Sequence, residues 1–519
     1  MLNLEKYKRN LISALKLNGI TIRSEFSLFI IESLHNSKIN LNNEFENCVK
    51  IVCEYLEKHT DVGRSIEKSH IEKAVEACIQ SGIDDHETTF NVINAFDFPK
   101  LYFDLSRKLY FLDSKNKSVL FSNPENKSEL FVNRYRNVLQ RTQRSLMHKN
   151  ELLETNKITL HTVDYLLTVS QRTLENNLIL GSLFHGANGK YFIEDPTGMI
   201  ELDLKHAKYH GGFFYENCFV LVNGYYSDKV LQVSTMILPP GEEFENSRAA
   251  FGSLNYFGGQ SESLLRDSKK LSDVMHRNSG GMMVFISDLW LDKPIVFEKL
   301  QVLFEGLAEM PPIAFVFIGN FLSQCYAAET FDILSKSFKQ LAELIKQYHN
   351  IKEYSHFVFV PGLSDPCMMH IVPRMSLPKL LTDNFTKQIP KSTFTTNPCR
   401  IQYCTREIVI YRSDMLSKFM QESLNKPNKD KINDFVTKTI VSQGHLSPFS
   451  INVQPVHWSF DYTLHLYPLP NLVVIGDKCN PYSGSYKGCS VVNPGSFIES
   501  GFSFKTYIPA SDTVDDCGL

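Results

Sequence analysis

In the first hundred residues the apolar positions recur at helical spacing. Leu4, Tyr7, Leu11 and Leu15 fall three and four apart and predict one amphipathic helix. Ser24 is placed to cap a second helix carrying Phe29, Ile30 and Leu34. Asn43 with Glu46, and Ser69 with Glu72, have the spacing of an N-cap and its N3 partner. They open segments bearing Phe45, Cys48, Val49, Val52 and Leu56, then Ile71, Ala74, Val75, Cys78 and Ile79. Four short helices within residues 1–80 predict a small independent bundle, with a further helical stretch over 84–96. Residues 81–156 read as a linker: 113–117 and Asn123-Pro124 are loop-like, and a helical basic segment follows. There Arg134, Arg136, Arg141 and Arg144 interleave with Tyr135, Val138, Leu139 and Leu146, so the apolar members form one stripe and the arginines its rim.

From about residue 158 the period becomes that of strands. Runs at 178–183, 190–193, 199–202, 219–226 and 230–237 are separated by turns such as Asp195-Pro196-Thr197-Gly198. Five short strands with a long central connection at 205–217 predict an OB-type β-barrel within residues 157–275. Such barrels often hold single-stranded nucleic acid by stacking bases over a basic groove. These strands carry Glu194, Asp195, Glu201 and Asp203, the wrong sign for phosphate, which favours a structural or protein-binding barrel. In residues 276–519 the apolar runs at 282–286, 314–318, 356–360, 407–411 and 472–475 lack alternation, and 331–348 is helical. That combination predicts strands buried on both faces in a layered α/β domain.

Charge narrows the function classes. Lys and Arg number 54 against 57 Asp and Glu, a formal net charge of −3, so nucleic acid is not gripped by bulk charge. A DNA or acidic-partner contact would need a local patch, for which Arg134, Arg136, Arg141 and Arg144 are the candidates; the other reading of them is a solvated helix face. Apolar runs such as 313–318 fall far short of the roughly 20 residues that span a bilayer, so no membrane association is expected. Glu5, Lys6, Lys8 and Arg9 stand where a signal peptide would be apolar, and an intracellular protein is expected. The eleven cysteines include C-x4-C spacings (Cys48/Cys53, Cys399/Cys404) and a lone Cys367/His370 pair, but no four-ligand zinc pattern. Free thiols in a reducing compartment are expected.

Each buried run of the last domain ends in a polar turn, the usual place for ligands in α/β domains. The turns are Ser287-Asp288-Leu289-Trp290, Gly319-Asn320-Phe321-Leu322-Ser323, Pro361-Gly362-Leu363-Ser364-Asp365 and Gly476-Asp477-Lys478-Cys479. Their order resembles that of the calcineurin-like metallophosphoesterases, whose turns read D-x-H, G-D-x-x-D, G-N-H-D/E, an isolated His and G-H-x-H. That pattern implies two bridged metal ions activating a water for attack on phosphate. Here Trp290 stands at the first histidine and Asn320 at the bridging carboxylate. Leu363 and Ser364 replace the Asn and His before Asp365, and Asp477 and Cys479 replace the last two histidines. His445 is left to match the isolated histidine. The expectation is an inactivated phosphoesterase scaffold with no catalytic residue, no metal and no cofactor. P-loop, dinucleotide-binding and nucleophile-elbow motifs are also missing.

A helical N-terminal module, an OB barrel and a disabled phosphoesterase domain together resemble the B-subunits of eukaryotic replicative DNA polymerases. The segments that carry the likeness are Phe192-Ile-Glu-Asp-Pro-Thr-Gly198, Phe357-Val-Phe-Val-Pro-Gly362, Phe394-Thr-Thr-Asn-Pro-Cys-Arg-Ile-Gln-Tyr-Cys404, Ser442-Gln-Gly-His-Leu446, Val492-Asn-Pro-Gly-Ser-Phe497 and Ser500-Gly-Phe-Ser-Phe-Lys505. The resemblance implies a non-catalytic nuclear subunit whose barrel and phosphoesterase-like domain clasp the C-terminal metal-binding domain of the catalytic subunit. It also implies small histone-fold subunits in the same complex, a link to the replicative helicase through the N-terminal bundle, and DNA contacted indirectly or weakly. Two alternatives stand beside it. One is a weak metal-dependent phosphodiesterase using Asp288, Asp477 and His445; the other is a single-stranded DNA-binding protein using the barrel and the arginine segment.

Overall fold

The computed structural model describes residues 4–17, 22 and 24–36, single positions between 49 and 75, and 89–519 apart from 114–117, 153–156, 169–170, 174–176, 253, 260, 262–263 and 367–369. The chain divides into two compact units, Met1–Thr89 and Phe90–Leu519. In the first, the helices Leu4–Leu17 and Ser24–Asn36 follow the predicted periodicity. Leu11, Leu15, Ile30 and Ile31 are buried together with Val49, Val52, Leu56, Ile71, Ala74 and Val75. The predicted cap pairs Asn43/Glu46 and Ser69/Glu72, with Phe45, Cys48, Cys78, Ile79 and the Leu34 side chain, lie outside the described residues.

The second unit holds a closed barrel and a two-sheet sandwich. In the barrel Asn177–His185 pairs with both Tyr191–Asp195 and Phe219–Ser227. Gly198–Asp203 and Val230–Ile237 complete the ring, joined to each other in parallel. Ile179, Leu183, Ile193, Ile200, Leu202, Val220, Val222, Leu231 and Val233 fill it, which is the alternate set that the period of two selects.

The sandwich has two six-stranded sheets. One runs in the order Ser392–Phe394, His356–Val360, Ala314–Ile318, Met283–Ser287, Ser503–Ile508, Thr513–Gly518. The other runs Phe90–Asn94, Cys399–Tyr403, Arg406–Arg412, Leu472–Gly476, Cys489–Asn493, Tyr482–Tyr486. Between the sheets lie Met283, Phe285, Val316, Ile318, Val358, Val360, Ile401, Ile408, Ile410, Leu472 and Val474. The alternate residues Val284, Ile286, Phe315, Phe317, Phe357 and Phe359 pack under the helices Pro294–Leu307, Phe331–Lys346 and Lys379–Gln388. Val409, Tyr411, Val473, Ile475 and Val491 face the other way and share one core with the barrel. Both faces of each central strand are therefore covered, which is why those runs show no polar alternation.

Three expectations change. The helix expected over 84–96 is instead, from Phe90 to Asn94, a strand paired antiparallel with Cys399–Tyr403. Its Ile93 enters the barrel-side core while Phe90 and Val92 pack on the inter-sheet core, so long-range pairing overrides a local helical pattern. Of the linker drawn at 81–156, the described residues from Phe90 onward are folded structure, including the helix Glu125–Leu152. The boundary at residue 275 also moves, because the helix Lys269–Arg277 gives Leu271 and Met275 to the inter-sheet core. Among the described residues no helix is long and apolar enough to cross a membrane. Cys218, Cys325, Cys399, Cys404, Cys479, Cys489 and Cys517 are free thiols.

Candidate functional site

Parallel strands of both sheets end together, bringing the four polar turns to one edge of the sandwich. Asp288 follows directly on Met283–Ser287 and is fully buried. What faces it is the side chain of Arg412, the last residue of Arg406–Arg412, itself fully buried. The guanidinium donates from Nε to the Gly319 carbonyl (2.8 Å), from Nη1 to the Gly476 carbonyl (3.0 Å) and Asp414 Oδ1 (2.7 Å), and from Nη2 to Asp288 Oδ1 (3.0 Å). It thereby ties two strand ends of one sheet to two of the other. Burial alone would lower its pKa, but Asp288 and Asp414 overcome that and raise it, so the group is permanently cationic. No motif in the sequence pointed to Arg412; the available signal was a charged residue directly after the apolar run 408–411.

Within these turns Asn320 and Ser364, and Asp477 and Cys479, are hydrogen-bonded in pairs. The backbone N–H of Asn320 and its Nδ2 donate to Asp288 Oδ1 (3.0 and 3.3 Å), and its Oδ1 accepts the Ser364 N–H (2.7 Å). An aspartate at 320 could accept but not donate, and would set a second anion against Asp288. Asp477 accepts the N–H groups of Leu416 (2.8 Å) and Cys479 (3.2 Å), and burial raises its carboxyl against those bonds. Cys479 takes a bond from Asn493 Nδ2 (3.2 Å), and burial beside Asp477 pushes its thiol up to about 12, so it stays protonated at neutral pH. Trp290 is half-buried. Two bridged dications do not fit this donor set: Asp288 Oδ1 is already shared by a guanidinium and an amide, and no carboxylate stands where one must bridge.

Asp365 accepts the N–H of Phe321 on Oδ1 (2.8 Å) and of Gly362 on Oδ2 (2.7 Å). Burial pushes its carboxyl up to about 6, while those N–H groups, Arg374 and Arg412 pull the other way. A raised carboxylate means that the folded chain holds a proton which the unfolded chain releases at lower pH. Stability from this group therefore falls as pH rises from about 4 to about 6 and stays lower above that window. Asp365→Asn should abolish that slope. It should also cost about 1–3 kcal/mol, because the new amide NH2 meets a backbone N–H where an oxygen accepted it. Urea unfolding between pH 4 and 7 measures both effects.

His445 does not join these turns. Its Nδ1 accepts the Ser447 N–H (2.9 Å), so the proton of the neutral ring is on Nε2, which lies 3.3 Å from Asp461 Oδ1. His465 Nε2 lies 3.3 Å from Asp461 Oδ2, and Arg134 holds both carboxylate oxygens through Nε (3.2 and 3.0 Å) and Nη2. Ligand atoms of His445, Asp461 and His465 lie within 4.8 Å of one another. Even so, a metal would need a lone pair on an Nε2 that is protonated, and it would meet the Arg134 guanidinium. Burial, then Arg134, holds His445 down to about 3. Burial would raise Asp461, but Arg134 and the two imidazoles hold it well below the usual carboxylate range.

The other arginines of the helix Glu125–Leu152 also turn inward. Buried Arg141 donates from Nη2 to the Ser442 carbonyl and from Nη1 to that of Val441 (3.5 Å), at the C-terminal end of the helix Ile432–Gln443. Arg144 forks onto Glu242 (2.9 and 2.8 Å) and reaches Tyr467 Oη (2.6 Å). Arg136 is exposed, beside a groove bordered by Tyr102 and Trp458. A rim of four arginines for DNA or an acidic partner is thus reduced to Arg136; Arg134, Arg141 and Arg144 fasten the helix to the body instead.

Three family models match the chain. The model of the B-subunit family of DNA polymerases alpha and epsilon covers residues 283–484. The DNA polymerase epsilon subunit 2-like OB-fold domain covers 124–240, and the DNA polymerases epsilon N terminal covers 3–78. DNA polymerase epsilon subunit 2 of Homo sapiens is 38% identical over 526 residues, 99% of each chain. That of Drosophila melanogaster is 36% identical over 518 residues, 98% of this chain and 97% of its own. Among solved structures, an archaeal phosphodiesterase is similar over 46% of this chain and 99% of its own, at 9% identity and a TM-score of 0.26.

Proposed function

Because the chain belongs to the DNA polymerase epsilon subunit 2 family, we propose that it is the non-catalytic accessory subunit of a nuclear DNA polymerase epsilon complex acting in chromosomal replication. The observation that carries the non-catalytic part is Arg412: a fixed cation hydrogen-bonded to Asp288 in the place where phosphate hydrolysis would need an open metal pair. The barrel and the sandwich share one core, which supports a single rigid body able to present a continuous protein-binding surface. In this proposal that body clasps the C-terminal metal-binding domain of the catalytic subunit. Small histone-fold subunits complete the complex, the N-terminal bundle links the polymerase to the replicative helicase, and DNA is touched indirectly or weakly.

The test is co-expression of the full tagged chain with the catalytic subunit, alongside a phosphodiesterase assay of the chain alone with Mn2+. A stoichiometric complex and no hydrolysis above a buffer blank are expected. Mn2+-dependent hydrolysis that disappears in Asp288→Ala would overturn the non-catalytic reading. Failure to recover the catalytic subunit would overturn the accessory one.

A further inference from the structure

We infer that the Arg412 guanidinium takes the place of a divalent cation among the carboxylates gathered around it, and that its fixed charge keeps such a cation out. This rests on the non-catalytic reading of the same site and goes beyond it, by naming what excludes the metal and what its removal would restore.

Four observations carry the inference. First, the guanidinium lies where two sheets meet, bonded to Asp288, Gly319, Gly476 and Asp414, so it joins the strand ends that a metal would otherwise join. Second, its surroundings are anionic: Asp288 and Asp414 bond to it, and its charge also acts on Asp365 and Asp477. A dication beside Asp288 would face this fixed positive charge where little water screens it. Third, the chain has closed tightly around the side chain. A Cβ on Gly476 would lie 2.9 Å from Arg412 Cδ and 2.6 Å from Ser287 Oγ, and one on Gly319 would lie 2.0 Å from Asp365 Oδ2. Fourth, Asp288 keeps one oxygen, Oδ2, buried with no hydrogen-bond partner, a free acceptor for a cation once the guanidinium is gone. The fork is essential to the role. Nε, Nη1 and Nη2 serve partners in different directions, which a lysine ammonium at the end of a flexible stem cannot reproduce.

The experiment uses the full chain and Mn2+ alone as the probe, read by thermal unfolding and by electron paramagnetic resonance of bound Mn2+. Wild type should bind no Mn2+ at this site, and its melting temperature should not respond to millimolar MnCl2. Arg412→Ala should melt lower, recover by about 2–4 °C in MnCl2, and lose that recovery when Asp288→Asn is added. Arg412→Lys should keep the charge, lose part of the fork, and stay indifferent to Mn2+. Stoichiometric, Asp288-dependent Mn2+ binding by wild type would overturn the inference, as would an Arg412→Ala chain that ignores Mn2+. If Arg412→Ala is recovered only as aggregate, Arg412→Met with Asp288→Asn removes both members of the fully buried pair, leaves only the partly exposed Asp414, and should restore soluble protein; continued aggregation would overturn the electrostatic role. Neither result alters recovery of the catalytic subunit, which tests the accessory reading separately.

Discussion

Arg134→Ala is expected to destabilise the Phe90–Leu519 unit by about 3–5 kcal/mol, the usual cost of stripping one partner from a buried ion pair. Arg134 and Asp461 expose only 5% and 6% of their side chains, so the carboxylate left behind cannot turn to water. Its remaining neighbours, His445 and His465, are 3.3 Å away, and burial works against a charge on His445. The wild-type pair also has a pH signature. Asp461 is depressed in the folded chain, so its stabilisation is complete above about pH 4, where the unfolded carboxylate is already ionised, and is lost only in stronger acid. Arg134→Met combined with Asp461→Asn should recover much of the loss, since neither member is then left charged. Urea midpoints of the three chains decide this; a loss below about 1 kcal/mol, as for an exposed pair, would show that the helix is not fastened here.

Phe359→Ala should cost a similar amount, about 3–5 kcal/mol. Phe359 is 1% exposed and stacks on Phe394 at 4.4 Å, with the rings of Phe385, Phe317, Phe338 and Phe321 at 5.1, 5.3, 5.8 and 5.9 Å. Six aromatic rings fixed mutually by edge and face contacts cannot collapse into the space that one of them leaves. Phe321 belongs to the turn whose N–H bonds Asp365, so the cavity opens directly behind that turn. Phe359→Leu, nearer in volume, should cost less than about 1.5 kcal/mol. Thermal and urea unfolding of the two variants give the comparison, and equal losses would deny the ring packing its role.

The helical face of Leu4 to Leu15, the five barrel strands, and the buried runs ending at Ser287, Ile318, Val360 and Gly476 were legible in the chain, because each is a local repeat of apolar positions. So were the turns that hold Trp290, Asn320, Ser364, Asp477 and Cys479, because they follow those strands directly. Placement on a helix face did not reveal the use made of Arg134, Arg141 and Arg144. Periodicity puts an arginine on a rim, but whether the rim meets water or a protein oxygen depends on residues from about 100 to more than 300 positions away.

By itself, then, the sequence determined the element types and the polar turns that close the buried strands, all properties of short windows of chain. Only the tertiary structure decided which partners the buried charges at these turns meet. Arg412 and Asp288 are 124 residues apart and Arg134 and Asp461 are 327 apart, and each pair meets only when separate strands and helices pack. The physical reason is the range of the forces. Backbone hydrogen bonding and apolar periodicity act between near neighbours, whereas the state of a buried charge is set by whatever partners the finished fold brings within about 3 Å of it.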